Sequence, residues 1–178
     1  DGRVECLGRM ERGQVKVNGQ RVELDEIAHE LQLEAGVADA CVQYLQHPAH
    51  ASRQLVAFLA LDQSRTLSED VGVRTDAEAR AYAQGVVLGA QRRLAPFMVP
   101  AHTLVLTSAL PLTPNNKVDV KRLAGMYQAM DPQRLHDACN APSTRRSTAT
   151  ETALMQHLAA FLQIPVADVD RDLSLIHI

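Results

Sequence analysis

The pattern of hydrophobic and polar positions predicts several short strands in the amino-terminal part of the chain. Residues 3–7 and 14–17 are typical of strands, and the second leads into Asn18-Gly19, the pair most characteristic of a tight hairpin turn. Residues 38–45 and 54–61 predict two longer strands. The second of these is almost continuously apolar, as expected of a strand covered on both faces.

Helical spacing of apolar residues predicts three helices around these strands. Asp25 is expected to cap the first helix, and residues 78–94 are expected to form the second. A strand over residues 102–106 and a helix over residues 118–127 follow. The elements together predict an α/β fold: a small β-hairpin plus a three-stranded sheet with flanking helices.

The sequence changes character after residue 130. Residues 131–147 are rich in polar residues and include two prolines, so they predict a flexible linker. Thr148 and Glu151 then fit a capping box, and an apolar stripe follows at helical spacing. One helix buries too little surface for a core of its own. We therefore expect residues 1–130 to form one domain and residues 148–178 to be the truncated start of another.

Composition and charge exclude several classes of protein. The 178 residues are 46% hydrophobic and 22% charged, which is typical of a globular protein. A net charge of −3 and an aromatic content of 3% provide neither the basic surface nor the stacking platforms of a nucleic-acid-binding protein. No apolar run approaches the roughly 20 residues of a membrane span, and the polar start is not a secretion signal.

The cysteines and histidines do not predict a metal site. Cys6, Cys41 and Cys139 are far apart, so we expect free, buried thiols in a reduced, cytoplasmic protein. His47 and His50 flank Pro48-Ala49 in a polar connection, but further ligands in register are missing. A solvated loop is the favoured interpretation, and no metal site is predicted.

Residues 110–119, with the sequence LPLTPNNKVD, predict a rigid loop that projects one primary amine. Pro111 and Pro114 fix φ and bias the preceding residues towards extended geometry. Asn115 and Asn116 tolerate turn or left-handed conformations, and Lys117 follows them just before the next helix. In this setting Lys117 is predicted to be functional rather than a simple surface charge.

Three stretches in this order resemble the adenylate-forming superfamily, and specifically the C-terminal subdomain of a nonribosomal peptide synthetase adenylation domain. Residues 8–27 resemble its hinge and thioesterification motif, and residues 94–100 resemble its short "LPxYMxP" motif. Residues 110–119 resemble the motif that carries the catalytic lysine. The resemblance covers roughly residues 1–127, and residues 148–178 resemble the start of a peptidyl carrier protein.

The resemblance implies an ATP-dependent ligase that works in two steps. An amino-acid carboxylate attacks the α-phosphate of ATP, and a phosphopantetheine thiol then attacks the resulting adenylate. It implies that Lys117 is the catalytic lysine of the first step, with Asn116 in place of the usual Gly. It further implies that ATP and Mg²⁺ are bound mainly by a large N-terminal subdomain, and that phosphopantetheine is attached to a Ser beyond Ile178.

The same resemblance assigns roles to residues near the amino terminus. Glu11, where the family usually has Asp, corresponds to the hinge on which the subdomain pivots, and Gly19 corresponds to the glycine that lines the pantetheine tunnel. Arg9, Arg21 and Lys16 correspond to positions that can contact ATP. The implied partners are the large adenylation subdomain, which also holds the amino-acid substrate, and the carrier domain. The fragment alone is expected to be inactive.

Two alternatives stay open from the sequence. An acyl- or aryl-CoA synthetase shares the fold and the lysine loop, although residues after 131 would then be unexpected. The other alternative is a non-catalytic docking subdomain within a synthetase, because Glu11 and Asn116 depart from the family pattern.

Overall fold

The computed structural model describes residues 13–62, 71–139 and 156–157. The chain divides into two units, Asp1–Ala141 and Pro142–Ile178. Within the described part of the first unit, the elements follow the order β1 (Gln14–Val17), β2 (Gln20–Glu23), α1 (Leu24–Gln32), β3 (Val37–Gln46), β4 (Arg53–Leu61), α2 (Ala77–Ala90), β5 (His102–Val105), α3 (Val120–Ala129) and α4 (Pro132–Cys139).

Strands β1 and β2 form the antiparallel hairpin that the Asn-Gly pair predicts. Asn18 has a φ of 49° and Gly19 a φ of 82°, so both residues of the two-residue turn adopt the left-handed conformation of a type I′ turn. Val17 and Val22 are buried, and they fix one face of the hairpin against the rest of the unit.

The main sheet has the order β3-β4-β5, with β3 and β4 antiparallel and β4 and β5 parallel. Residues 55–60 of the central strand β4 are all buried, as the continuous apolar run predicts. Successive side chains point to opposite faces, so alternate residues of β4 enter two separate cores. Leu55, Ala57 and Leu59 pack in the core that includes residues of α1 and α2. The other face packs in the core that includes residues of α3 and α4.

The prediction that Asp25 caps α1 is wrong. The helix begins at Leu24, directly after β2, and Glu23 occupies the cap position without a side-chain hydrogen bond. Leu24 is buried, and its N–H donates to the carbonyl of Gly13 at 2.6 Å, so the helix starts directly where the hairpin pairing ends. Asp25 lies in the first turn, where its charge still complements the helix dipole.

The other predicted helices are correct in position and differ at their ends. Helix α2 ends at Ala90, because the backbone after Ala90 forms turns that are tighter than an α-helix. The buried face nevertheless continues to Leu94. Helix α3 begins two residues later than expected because Asp119 caps it, accepting the N–H of Arg122 at 3.0 Å.

Helix α4 corrects the prediction of a linker starting at residue 131. Asp131 accepts the N–H groups of Gln133 and Arg134, and Pro132 stands at the first helical position, where its missing N–H costs nothing. Leu135 is buried and only 3% exposed, in the core on the α3 side of the sheet. The sequence did not indicate this helix because Pro132 suggested a break and the buried positions are few.

The remainder of the predicted linker and of the carrier segment lies outside the described residues, except that residues 156–157 are helical. The predicted strand at residues 3–7 also lies outside them. Among the helices of the described residues, none is long and apolar enough to cross a membrane.

Candidate active site on the Lys117 hairpin

Lys117 closes a small hairpin loop. The Thr113 N–H donates to the Lys117 carbonyl at 2.7 Å, and the Asn116 N–H donates to the Thr113 carbonyl at 2.9 Å. Leu112 and Val118 pair as an antiparallel bridge just outside this loop. The pattern matches a three-residue hairpin loop in which a tight turn is followed by one left-handed residue.

Asn116 is that left-handed residue, with a φ of 56°. The sequence predicted that Asn would occupy this conformation in place of the family's usual Gly, and the backbone geometry confirms it. Asn is the non-glycine residue best suited to positive φ, since its short polar side chain accommodates the conformation. The substitution therefore leaves the path of the loop intact.

Both ends of the hairpin are held firmly while Lys117 is exposed. Leu110 is buried, and the Asp119 N–H donates to the Pro111 carbonyl at 2.7 Å. Asp119 also caps α3 through its side chain. Lys117 is thus presented to solvent by a loop anchored to the core on one side and to a helix on the other. Such an arrangement limits the positions that the ammonium group can reach.

The surface beside Lys117 is partly apolar. Leu112 is 41% exposed and Val120 is 49% exposed, although both are large hydrophobic residues. Leu112 also lines an open cavity of about 300 Å³ together with Asp39 and residues of β3, β4 and the 109–110 segment.

The β1–β2 hairpin carries three of the other predicted site residues. Gly19 is exposed at its tip, and a Cβ built there would meet nothing within 4 Å. Lys16 and Arg21 are directly opposite each other in the strand register, and both are exposed. Like charges in this position do not favour hairpin formation. The strand register nevertheless places the two cations, Lys16 and Arg21, side by side on either side of the turn that contains Gly19.

Glu11 and Arg9 lie outside the described residues, so their predicted roles remain predictions. The described backbone begins just after them, at Gly13, whose carbonyl accepts the Leu24 N–H. A Cβ at Gly13 would lie 3.1 Å from Asp25 Oδ2, which is closer than ordinary van der Waals contact. A side chain at this position would therefore require the Asp25 carboxylate to move by a few tenths of an ångström.

A cluster of histidines beside helix α3 was not foreseen. The prediction of a solvated loop is wrong for His47, which is only 2% exposed. Its Nε2 lies 2.9 Å from the Met130 carbonyl, and its Nδ1 accepts the Ala49 N–H at 3.1 Å. Because Nδ1 accepts a hydrogen bond, the proton of the neutral ring belongs on Nε2.

Three further rings, those of His50, His102 and Tyr127, complete this cluster. The ring centroids of His47 and Tyr127 are 5.2 Å apart, and those of His50 and His102 are 5.4 Å apart. Burial, followed by the charges of His50 and His47, lowers the pKa of His102 to about 4. Burial also raises the pKa of Tyr127. Nothing local in the sequence indicates the cluster, because its members come from distant segments.

The described cysteines are free and poorly suited to chemistry. Cys41 and Cys139 are half-buried, and desolvation raises the pKa of Cys41 to about 11 and that of Cys139 to about 12. The reactive thiolate is therefore scarce at neutral pH. Cys6 lies outside the described residues. Among the described residues, no group of three or more His, Cys, Asp or Glu side chains could hold a metal ion.

Comparison with known proteins identifies the family of this chain. Over 98% of its length the chain matches the ferrichrome siderophore peptide synthetase of Mycosarcoma maydis at 42% identity. Over 95% of its length it matches nonribosomal peptide synthetase 4 of Gibberella zeae at 33% identity. The chain belongs to the nonribosomal peptide synthetase family. This synthetase segment spans only 4% and 2% of those two relatives, and no model of a known protein family matches it.

Solved structures agree with the fold of the synthetase segment. An ATP-bound RpMatB-BxBclM chimera matches with a TM-score of 0.52 at 23% identity, over 67% of this chain and 21% of its own. Apo MatB from Rhodopseudomonas palustris matches with a TM-score of 0.51 at 24% identity, over 68% of this chain and 21% of its own. The α/β fold predicted from the sequence, a small β-hairpin plus a three-stranded sheet with flanking helices, is confirmed.

Proposed function

We propose that this chain is the C-terminal subdomain of an adenylation domain, followed by the start of a peptidyl carrier domain. The intact synthetase would activate an amino acid with ATP and load it onto the carrier's phosphopantetheine thiol. The observation that carries the proposal is the geometry of Lys117, an exposed amine on an anchored hairpin. The identity to peptide synthetases over nearly the whole chain supports the same activity.

In the first step, the amino-acid carboxylate oxygen attacks the α-phosphorus of ATP. A new P–O bond forms, the bond to the β-phosphate oxygen breaks, and pyrophosphate leaves with the electron pair. Negative charge crowds where the two anions meet, and a fixed ammonium group stabilises it most in a site that excludes water. Lys117 would supply that charge when its hairpin is docked against the large subdomain. The exposed Leu112 and Val120 beside it would be covered on docking.

In the second step, the thiol sulfur attacks the acyl carbon of the adenylate, the thiol proton is lost, and AMP leaves as the C–O bond breaks. Gly19 would line the path of the pantetheine arm, because a residue without a side chain leaves room at the hairpin tip. Lys16 and Arg21, brought side by side by the register, suit contact with phosphate groups.

The remaining partners belong to the large subdomain. By the family resemblance, the Mg²⁺ that accompanies ATP is assigned to the large subdomain, together with the amino-acid pocket. Glu11 is proposed as the pivot between the two steps. We expect a cytoplasmic enzyme and an isolated fragment without activity. Amino-acid-dependent exchange of pyrophosphate into ATP, measured on a Lys117→Ala variant of the intact synthetase, tests the proposal.

A further inference from the structure

Thr113 takes part in three hydrogen bonds of the hairpin that presents Lys117. Thr113 donates its N–H to the Lys117 carbonyl and accepts the Asn116 N–H on its own carbonyl. Its side-chain Oγ1 accepts the Lys117 N–H at 3.3 Å. Backbone and side chain of Thr113 therefore hold both peptide groups of Lys117.

The first two of these hydrogen bonds use only the backbone, which any residue could supply. The third requires a hydroxyl at position 113. Thr113 is itself half-buried, whereas Lys117 is exposed, so the hydroxyl is the better fixed of the two groups.

The orientation of the Lys117 peptide group matters for the amine. Nζ stands at the end of a flexible four-carbon stem, so a small tilt at Cα moves it by a larger distance. Displacements of about 1 Å are enough to slow a reaction that depends on alignment.

Resting on the role proposed for Lys117, we propose that Thr113 is its positioning residue in the adenylation step. Thr113 does not contact the reacting atoms itself. Its hydroxyl fixes the direction in which the lysine stem leaves the hairpin. The hydroxyl is important only in the orientation of the subdomain that uses Lys117, so the step that transfers the acyl group to the carrier does not depend on it.

The test uses the intact synthetase with Thr113→Val, which keeps the shape and removes the hydroxyl, and Thr113→Ser, which restores it. The hydrogen bond is worth about three- to tenfold, so kcat of pyrophosphate exchange should fall by that factor in Thr113→Val, with KM for ATP unchanged. Thr113→Ser should recover most of the rate. Transfer of a preformed aminoacyl-adenylate to the carrier should stay normal in both variants.

Thr107→Val is the matched control, because the Thr107 hydroxyl also accepts a backbone N–H, that of Gly72 at 2.9 Å, outside the Lys117 hairpin. Its exchange rate should remain normal. A normal kcat in Thr113→Val, no recovery in Thr113→Ser, or an equal loss of both half-reactions would overturn the positioning role. Lys117→Ala is measured alongside. If that variant keeps exchange, the proposed function fails. If it loses exchange while Thr113→Val does not, only the positioning role fails.

Discussion

His102 Nδ1 lies 2.8 Å from the phenol oxygen of Tyr127, and this contact joins the start of β5 to α3. Neither residue can be linked to the other from the sequence, since they are 25 positions apart on different elements. The contact is also part of the histidine cluster, where three imidazole rings lie on the side of the sheet that α3 covers. A positive charge on one ring would be poorly solvated and close to the others.

This arrangement predicts that the chain loses stability in mild acid. The pKa of His102 is about 4 in the folded chain, compared with its ordinary value of 6.5, mainly because of burial. Between these values the unfolded chain binds more protons, so the free energy of unfolding falls as pH decreases from about 6.5 to about 4, by up to about 3 kcal/mol. Above pH 6.5 this contribution is constant.

Urea unfolding of the 178-residue chain at a series of pH values measures the effect. His102→Asn should flatten the slope between pH 6.5 and pH 4. His29→Gln, which replaces an exposed histidine of α1, should leave it unchanged. The interpretation would be wrong if the slope were the same in His102→Asn as in the parent chain.

Substitutions at Asn116 should separate backbone conformation from side-chain chemistry. Asn116→Gly should keep stability within about 0.5 kcal/mol and preserve pyrophosphate exchange, because glycine adopts the φ of 56° without strain. Asn116→Val should cost about 1–2 kcal/mol and reduce exchange, because a β-branched residue resists positive φ. Thermal unfolding of the chain and exchange by the intact synthetase provide the two measurements. Equal behaviour of the two variants would contradict the conformational role.

A pair of substitutions at Gly19 tests the second step. Gly19→Ala and Gly19→Leu share the backbone strain that a φ of 82° imposes, but only leucine projects a bulky side chain from the hairpin tip. In the intact synthetase, Gly19→Leu should slow acyl transfer to the carrier well below the rate of Gly19→Ala, while pyrophosphate exchange stays similar in both. If exchange and transfer fell together in Gly19→Leu, the tunnel role would lose its support.

The sequence predicts much of this fold because its signals are local. The Asn18-Gly19 turn needs only two residues, and the continuous apolar run of β4 predicts by itself that the strand is buried. The loop at Lys117 could also be predicted from the sequence, since prolines and asparagines restrict its backbone conformation. What escaped prediction depends on contacts between distant segments. Helix α4 is held by a few buried side chains, and His47 is buried because the end of α3 covers it.

The described residues do not test the predictions for Glu11 and Arg9. Their roles follow from the resemblance of residues 8–27 to a hinge motif, and they precede the described backbone. Lys16 and Arg21, from the same motif, could be placed, and their direct pairing in the hairpin goes beyond what the motif alone suggested. Which residues of two paired strands lie opposite each other is determined by the strand register, and this brings Lys16 and Arg21 together.

The central claim is that Lys117 acts in adenylate formation, and amino-acid-dependent pyrophosphate exchange by the intact synthetase tests it most directly. Lys117→Ala should lower the exchange rate by about 100-fold or more, because a fixed charge at the reacting phosphate is lost. Lys121→Ala, which removes an exposed lysine from the first turn of α3, should stay within about twofold, since isolated surface charges contribute little. Transfer from a supplied adenylate should persist in both variants. Near-normal exchange by Lys117→Ala would contradict the account.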